Sequence, residues 1–188
     1  MSVHPVRHAV TVDEFGRMVD AGVFAADRRL ELIDGEILDM SPIGSPHQAC
    51  VDRLTRLFAP LSVSGEALLR VQGSVQVNDL SQPQPDVALL RPRDDFYASR
   101  HPGPDAVLLV VEVADTSLRF DREVKLPMYA EAGIAEAWVV DLNGSVVHVA
   151  TAPSAQGYES IVRAAAGDDV LSPVAFPDLA IAVTDIFG

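Results

Sequence analysis

The chain has 188 residues, 48% of them hydrophobic, and carries 27 acidic against 14 basic side chains for a formal net charge of −13. That length suits one globular domain over residues 1–188 and is short for two, while the charge opposes tight non-specific binding to nucleic acid unless basic groups gather on one face or a divalent metal intervenes. A single cysteine, Cys50, excludes an internal disulfide and a cysteine-built zinc site, and with neither a secretory leader nor a long apolar run in the sequence, a cytoplasmic protein without membrane spans is expected.

Thr11-Val-Asp-Glu14 has the form of a capping box and predicts a short helix, with Phe15, Met18 and Val19 on one face and Gly22 as its stop. ELIDGEIL, residues 31–38, predicts a β-hairpin, because Asp34-Gly35 supplies the positive φ angles of a two-residue type I′ turn. In that hairpin Ile33 opposes Glu36, and Glu31 shares their face. Ser45 reads as the cap of a second helix with Pro46 at its first position; Cys50, Val51, Leu54, Leu57, Phe58 and Leu61 then recur at helical spacing. His47 falls at the N-terminal end of that inward stripe. Residues 68–77 predict a strand or bent strand with a bulge at Gly73, and residues 86–90 another. The segment 92–106, with three prolines and a glycine, suits a loop between antiparallel strands.

The strand LVVEVA (109–114) follows, interrupted by the carboxylate of Glu112. A helix through Lys125 and Tyr129 should end at Gly133. Pro127 requires that helix either to be kinked or to start later than Asp121. Residues 135–150 predict a second hairpin around Asn143-Gly144, Tyr158 to Val162 extends the sheet, and the remainder reads as irregular packing with short strands. Helices set among hairpins indicate an α/β class fold in the α+β sense, a mixed sheet flanked by helices.

Positions 86 and 112 are symmetric about residue 99, near the middle of the loop, so antiparallel pairing sets Asp86 opposite Glu112. Opposed residues have Cβ atoms about 4.5–5.5 Å apart. Two carboxylates that close repel unless a proton or a cation intervenes, and Mg²⁺ is a natural intermediary that takes one or two carboxylates and leaves room for water and phosphate. Lys125, the only lysine among the 14 basic residues, lies on the helix that returns toward the same place. A lysine there can act as a compact charge beside a water or phosphate oxygen. Each residue also has a plainer reading: Glu112 as half of a buried ion pair, Lys125 as a solvated helix residue, Glu31 and Glu36 as solvated hairpin residues, and His47 as a hydrogen-bonded core residue.

ELIDGEILDMSPIGSPHQ, QPDVALL, VVEVADTSLRFDREVKLPMYAEAGIAEAWVVD and FPDLAIAVTDIF resemble, in order and spacing, the Uma-two family of the PD-(D/E)XK nuclease superfamily. The resemblance implies a restriction-endonuclease-like core. It also implies a metal-dependent endonuclease that hydrolyses phosphodiester bonds of nucleic acid, DNA foremost, with Mg²⁺ or Mn²⁺ held by Asp86 and Glu112. The superfamily's lysine two residues after the second acid is here Ala114, and Lys125 matches the family's replacement on the next helix. Glu31, or in its place Glu36, and His47 match the N-terminal motifs. A homodimer addressing two strands follows by analogy. The competing reading is a catalytically inactive binding or scaffold protein on the same fold, its acids tied up as internal ion pairs; a phosphatase-like hydrolase is a third.

Overall fold

Val107–Ala114 is the central strand of the protein, and all but Leu108 of its eight residues are buried. A strand covered on both faces needs no alternation of apolar and polar residues, which is why this run is nearly continuous in Val and Leu. In the computed structural model, which describes residues 6–25 and 27–188, ten strands are found among those residues: β1 Leu30–Ile33, β2 Glu36–Asp39, β3 Leu68–Val71, β4 Val87–Leu90, β5 Val107–Ala114, β6 Glu136–Asp141, β7 Val146–Ser154, β8 Gly157–Ala165, β9 Val170–Leu171 and β10 Ile181–Ala182. Strands β3 to β8 form one six-stranded sheet in chain order. Only β5 and β6 run parallel within it. That parallel step requires a crossover, and the helical segment 118–131, α3, provides it.

Helix α1 (Val12–Asp20) opens with the capping box the sequence predicts: Glu14 N–H donates to Thr11 Oγ1 at 3.2 Å, and Thr11 N–H to Glu14 Oε2 at 3.0 Å. Thr11→Ala is expected to lower stability by about 1 kcal/mol, seen as a shifted denaturant midpoint at unchanged slope. The β1–β2 hairpin turns at Asp34 (φ 50°) and Gly35 (φ 75°), with Ile33 opposite Glu36 as expected. Helix α2 (Ser45–Val63) starts one residue earlier than its sequence suggests. Gly44 is the N-cap, no side chain caps it, and Pro46 falls in the first turn. Its stripe of Cys50, Val51, Leu54, Phe58 and Leu61 packs with Val87, Leu89, Leu109, Val111 and Trp138 on one face of the sheet. The other face is covered by α3, through Leu126, Met128 and Tyr129 against Ala88, Val110, Ala114, Ala137 and Val139.

One other expectation is corrected. The strand predicted over 68–77 ends at Val71, because Gln72 takes a left-handed conformation (φ 50°) and the chain leaves the sheet there; no ladder continues to a bulge at Gly73. The hairpin expected around Asn143-Gly144 is present, joining β6 to β7, with a positive φ at Ser145 (49°). Of the two routes open to the helix around Pro127, the later start is not taken, and the irregularity is a widened turn. The helix begins before Asp121, as an α turn Leu118–Phe120, widens to a π turn Asp121–Lys125, and returns to α over Leu126–Glu131. In the π turn Leu126 N–H bonds the carbonyl of Asp121, five residues back. Proline has no N–H and its ring crowds the carbonyl four residues earlier, so a wide turn just ahead of it relieves both demands.

Candidate active site

The β4–β5 register pairs Val87 with Val111, Ala88 with Val110 and Leu89 with Leu109. One step further, the same register sets Asp86 beside Glu112, the juxtaposition expected from their symmetry about residue 99. Asp86 Oδ2 accepts from Val113 N at 2.9 Å and sits 3.1 Å from His47 Nε2, and Oδ1 accepts from Gln72 Nε2 at 3.3 Å. The first turn of α2 therefore delivers His47 as a positioning partner of Asp86. The left-handed bend at Gln72 brings a second one from the end of β3.

Glu112 projects to the α3 side. Tyr129 Oη donates to its Oε1 at 2.6 Å, and Lys125 Nζ lies 3.2 Å from both of its carboxylate oxygens. The same ammonium reaches Glu31 Oε1 at 3.1 Å, an oxygen that also accepts from Gln84 N. The plain readings of Glu31 and Lys125 as solvated residues are overturned: they are 1% and 2% exposed. Glu36 instead faces solvent and pairs with Arg7, so of the two hairpin glutamates only Glu31 reaches the cluster.

Asp121 is a member that sequence reasoning missed. It is 3% exposed and accepts from Ser117 Oγ at 2.6 Å. Asp121, Lys125 and Tyr129 follow one another at four-residue spacing, and the π turn aims the first two into the site. That spacing is the signal the sequence carries for Asp121. Together the elements bring four carboxylates, Glu31, Asp86, Glu112 and Asp121, around one ammonium.

The electrostatics follow from this inventory. Burial pushes Glu112 well above the usual carboxylate range, and the carboxylates of Asp121, Asp86 and Glu31 push the same way against the pull of Lys125. Asp121 is raised for the same leading reason. Burial would lower Lys125, but Glu112, Glu31 and Asp121 outweigh it and hold the ammonium protonated. Asp86 differs: although burial pushes it up, His47, the Val113 N–H and Lys125 hold it below its ordinary value. The hydrogen bond to Asp86 in turn raises His47 against burial.

A cleft of about 140 Å³ opens onto this group, lined by Arg29, His47, Asp86, Asp115, Asp121 and Lys125 among others. Lys125 stands between the cleft and its two partners, since Glu31 and Glu112 do not line it. The donor set suits a hard divalent cation. Its atoms are carboxylate oxygens, and Glu31 Oε2 is buried with no hydrogen-bond partner. By contrast Glu136, a buried glutamate outside the site, has both oxygens satisfied, by Trp138 Nε1 at 2.8 Å and Val174 N at 2.6 Å. Among the described residues no three or more His, Cys, Asp or Glu side chains are grouped closely enough to hold a metal ion by themselves, so any ion here would draw on fewer protein ligands.

A family model, Uma2, described as "Putative restriction endonuclease", matches residues 12–184. The chain belongs to the Uma2 family. Its fold is similar to a crystal structure from Anabaena variabilis ATCC 29413 described as a "putative nuclease belonging to DUF820". The TM-score is 0.73 at 15% identity over 95% of this chain and 97% of the other. At that identity the likeness carries the fold, a restriction-endonuclease-like mixed sheet flanked by helices. A search of curated proteins returned no match. As in the Uma2 resemblance drawn from sequence, the position two residues after Glu112 is Ala114, fully buried against α3. Lys125 lies on α3. No helix among the described residues is long and apolar enough to cross a membrane.

Proposed function

We propose that this Uma2 protein is a metal-dependent nuclease that hydrolyses phosphodiester bonds of nucleic acid, DNA foremost, acting in the cytoplasm and as a homodimer where two strands are cut. One observation carries the reading: four carboxylates, Glu31, Asp86, Glu112 and Asp121, are buried together at one cleft, two of them sharing the ammonium of Lys125, where a lone internal ion pair would need only one. Asp86 and Glu112 would hold Mg²⁺ or Mn²⁺, which when bound lowers the pKa of water and offsets charge on the phosphate. His47 and the Val113 N–H fix the orientation of the Asp86 carboxylate, as Tyr129 does for Glu112. Lys125, released from Glu112 once another cation compensates that carboxylate, is placed to orient the attacking water or to stabilise a phosphate oxygen. The inactive-scaffold reading draws on the full engagement of Glu112 by Lys125 and Tyr129, and predicts no metal binding.

Mn²⁺ titration by calorimetry at a series of pH values separates the two. Glu112 and Asp121 both have raised pKa values, so the metal competes with protons. Its affinity should rise by roughly tenfold per pH unit for each proton displaced as pH climbs above the normal carboxylate range. Absence of binding by folded protein, with and without a DNA oligonucleotide present, returns the protein to the scaffold reading.

A further inference from the structure

The cleft that admits a substrate to Asp86 is also lined by Asp115 and Asp121, so an incoming phosphodiester meets a negative floor. Lys125 lines the same cleft but is hydrogen-bonded to Glu31 and Glu112. The remaining arginine or lysine on the wall is Arg29. Its guanidinium makes no hydrogen bond or ion pair among the described residues, while its neighbour Arg28 is paired with Asp39.

Arg29 owes its place to the hairpin. Its carbonyl accepts from Met40 N at 2.8 Å, which extends the β1–β2 ladder one step beyond Leu30 and Asp39. Along an extended chain, residues two apart project to the same side about 6.5–7 Å from each other. Arg29 therefore projects to the side of Glu31, one repeat further out. Glu31 lies behind Lys125 in the interior, and Arg29 lines the cleft half-buried. Its charge opposes protonation of His47, which puts the guanidinium within electrostatic reach of the Asp86 side of the site.

We propose that Arg29 is a substrate-positioning residue that grips a backbone phosphate of the nucleic acid at the mouth of this cleft, beside the carboxylates that serve the reaction. The inference rests on the nuclease reading. A planar guanidinium offers paired N–H donors that match two non-bridging phosphate oxygens, a geometry an ammonium cannot reproduce. Held outside the carboxylate cluster, it offsets the repulsion between the floor and the phosphate without neutralising the carboxylates themselves.

The test uses the full chain with Ca²⁺, and a fluorescein-labelled DNA duplex of mixed sequence whose binding is followed by anisotropy as salt is raised. Arg29→Ala should weaken binding by about ten- to hundredfold and reduce the slope of log affinity against log salt by about 1, the signature of one lost phosphate contact. Arg29→Lys should restore the slope and only part of the affinity. Both variants should keep the wild-type melting temperature, since the side chain holds no partner in the fold, and neither should bind Mn²⁺ more weakly, since loss of a nearby cation favours another. Wild-type affinity and slope in Arg29→Ala would overturn the clamp even where Mn²⁺ binds, leaving the nuclease reading intact. A wild type that binds no Mn²⁺ but whose DNA affinity and slope still depend on Arg29 would overturn the nuclease reading and keep the phosphate contact. A wild type that binds no DNA at low salt overturns the clamp.

Discussion

Replacing Lys125 by methionine is expected to destabilise the metal-free protein by about 3–5 kcal/mol, the usual consequence of removing one partner from a buried charge cluster. Methionine fills much of the lysine stem's volume, so the loss reports charge more than packing. Lys125 is hydrogen-bonded to Glu31 and to both oxygens of Glu112. Without it those carboxylates are buried with Tyr129 and Gln84 N as their remaining donors. The deficit should shrink as the medium is acidified, because the orphaned carboxylates then take up protons in place of the ammonium. Mn²⁺ should recover part of it, because without the competing ammonium the variant's carboxylates bind the ion more tightly, and each tenfold gain in affinity over wild type returns about 1.4 kcal/mol at saturation. Denaturant titrations of wild type and variant, with and without Mn²⁺, read all of this. A deficit below about 1 kcal/mol would mean that the ammonium does not hold the cluster together. A deficit that Mn²⁺ leaves untouched would favour a purely structural ion-pair network.

The sequence made the pairing of Asp86 with Glu112 legible because register is a matter of counting: a loop centred near residue 99 joins two antiparallel strands, and the observed pairs all sum as that centre requires until the irregularity at Leu89 and Leu90. The capping box at Thr11 and the turn at Asp34-Gly35 were legible for a similar reason, since their chemistry is contained within four residues. Burial was harder to read. Glu31 alternates correctly on its hairpin, but whether that face meets solvent or the interior depends on α3, ninety residues away in the chain. The π turn was invisible in propensity, which registers Pro127 as a breaker and not as a demand for a wider turn ahead of it. Asp121 was lost with it. Arg29 depended on knowing which arginines already had partners, information that only the assembled charge distribution contains.

Asp86 and Glu112 are expected to respond with opposite sign to loss of charge. Glu112 has its pKa raised on folding, chiefly by burial. Its favourable contribution is present below the unfolded carboxylate value of about 4.3 and is lost as pH rises through the folded value, above which its ionisation works against the fold. Glu112→Gln removes that charge in nearly the same shape, leaves Lys125 with Glu31, and should raise metal-free stability at a pH where the wild-type carboxylate is ionised. Asp86 has its pKa lowered, because His47, the Val113 N–H and Lys125 together outweigh burial. Its contribution is present above the unfolded value of about 3.9 and is lost as pH falls through the folded one. Asp86→Asn should therefore lower stability by about 1–3 kcal/mol at pH 7.5, weakening its bonds to His47 and Val113. Yet both substitutions should weaken Mn²⁺ binding by more than the roughly 10–100-fold that accompanies loss of an outer-shell partner. A carboxylate whose removal stabilises the fold while destroying ion binding is retained for the ion. If Glu112→Gln proves destabilising and leaves Mn²⁺ affinity unchanged, Glu112 is a structural partner of Lys125 and the metal reading loses its second acid.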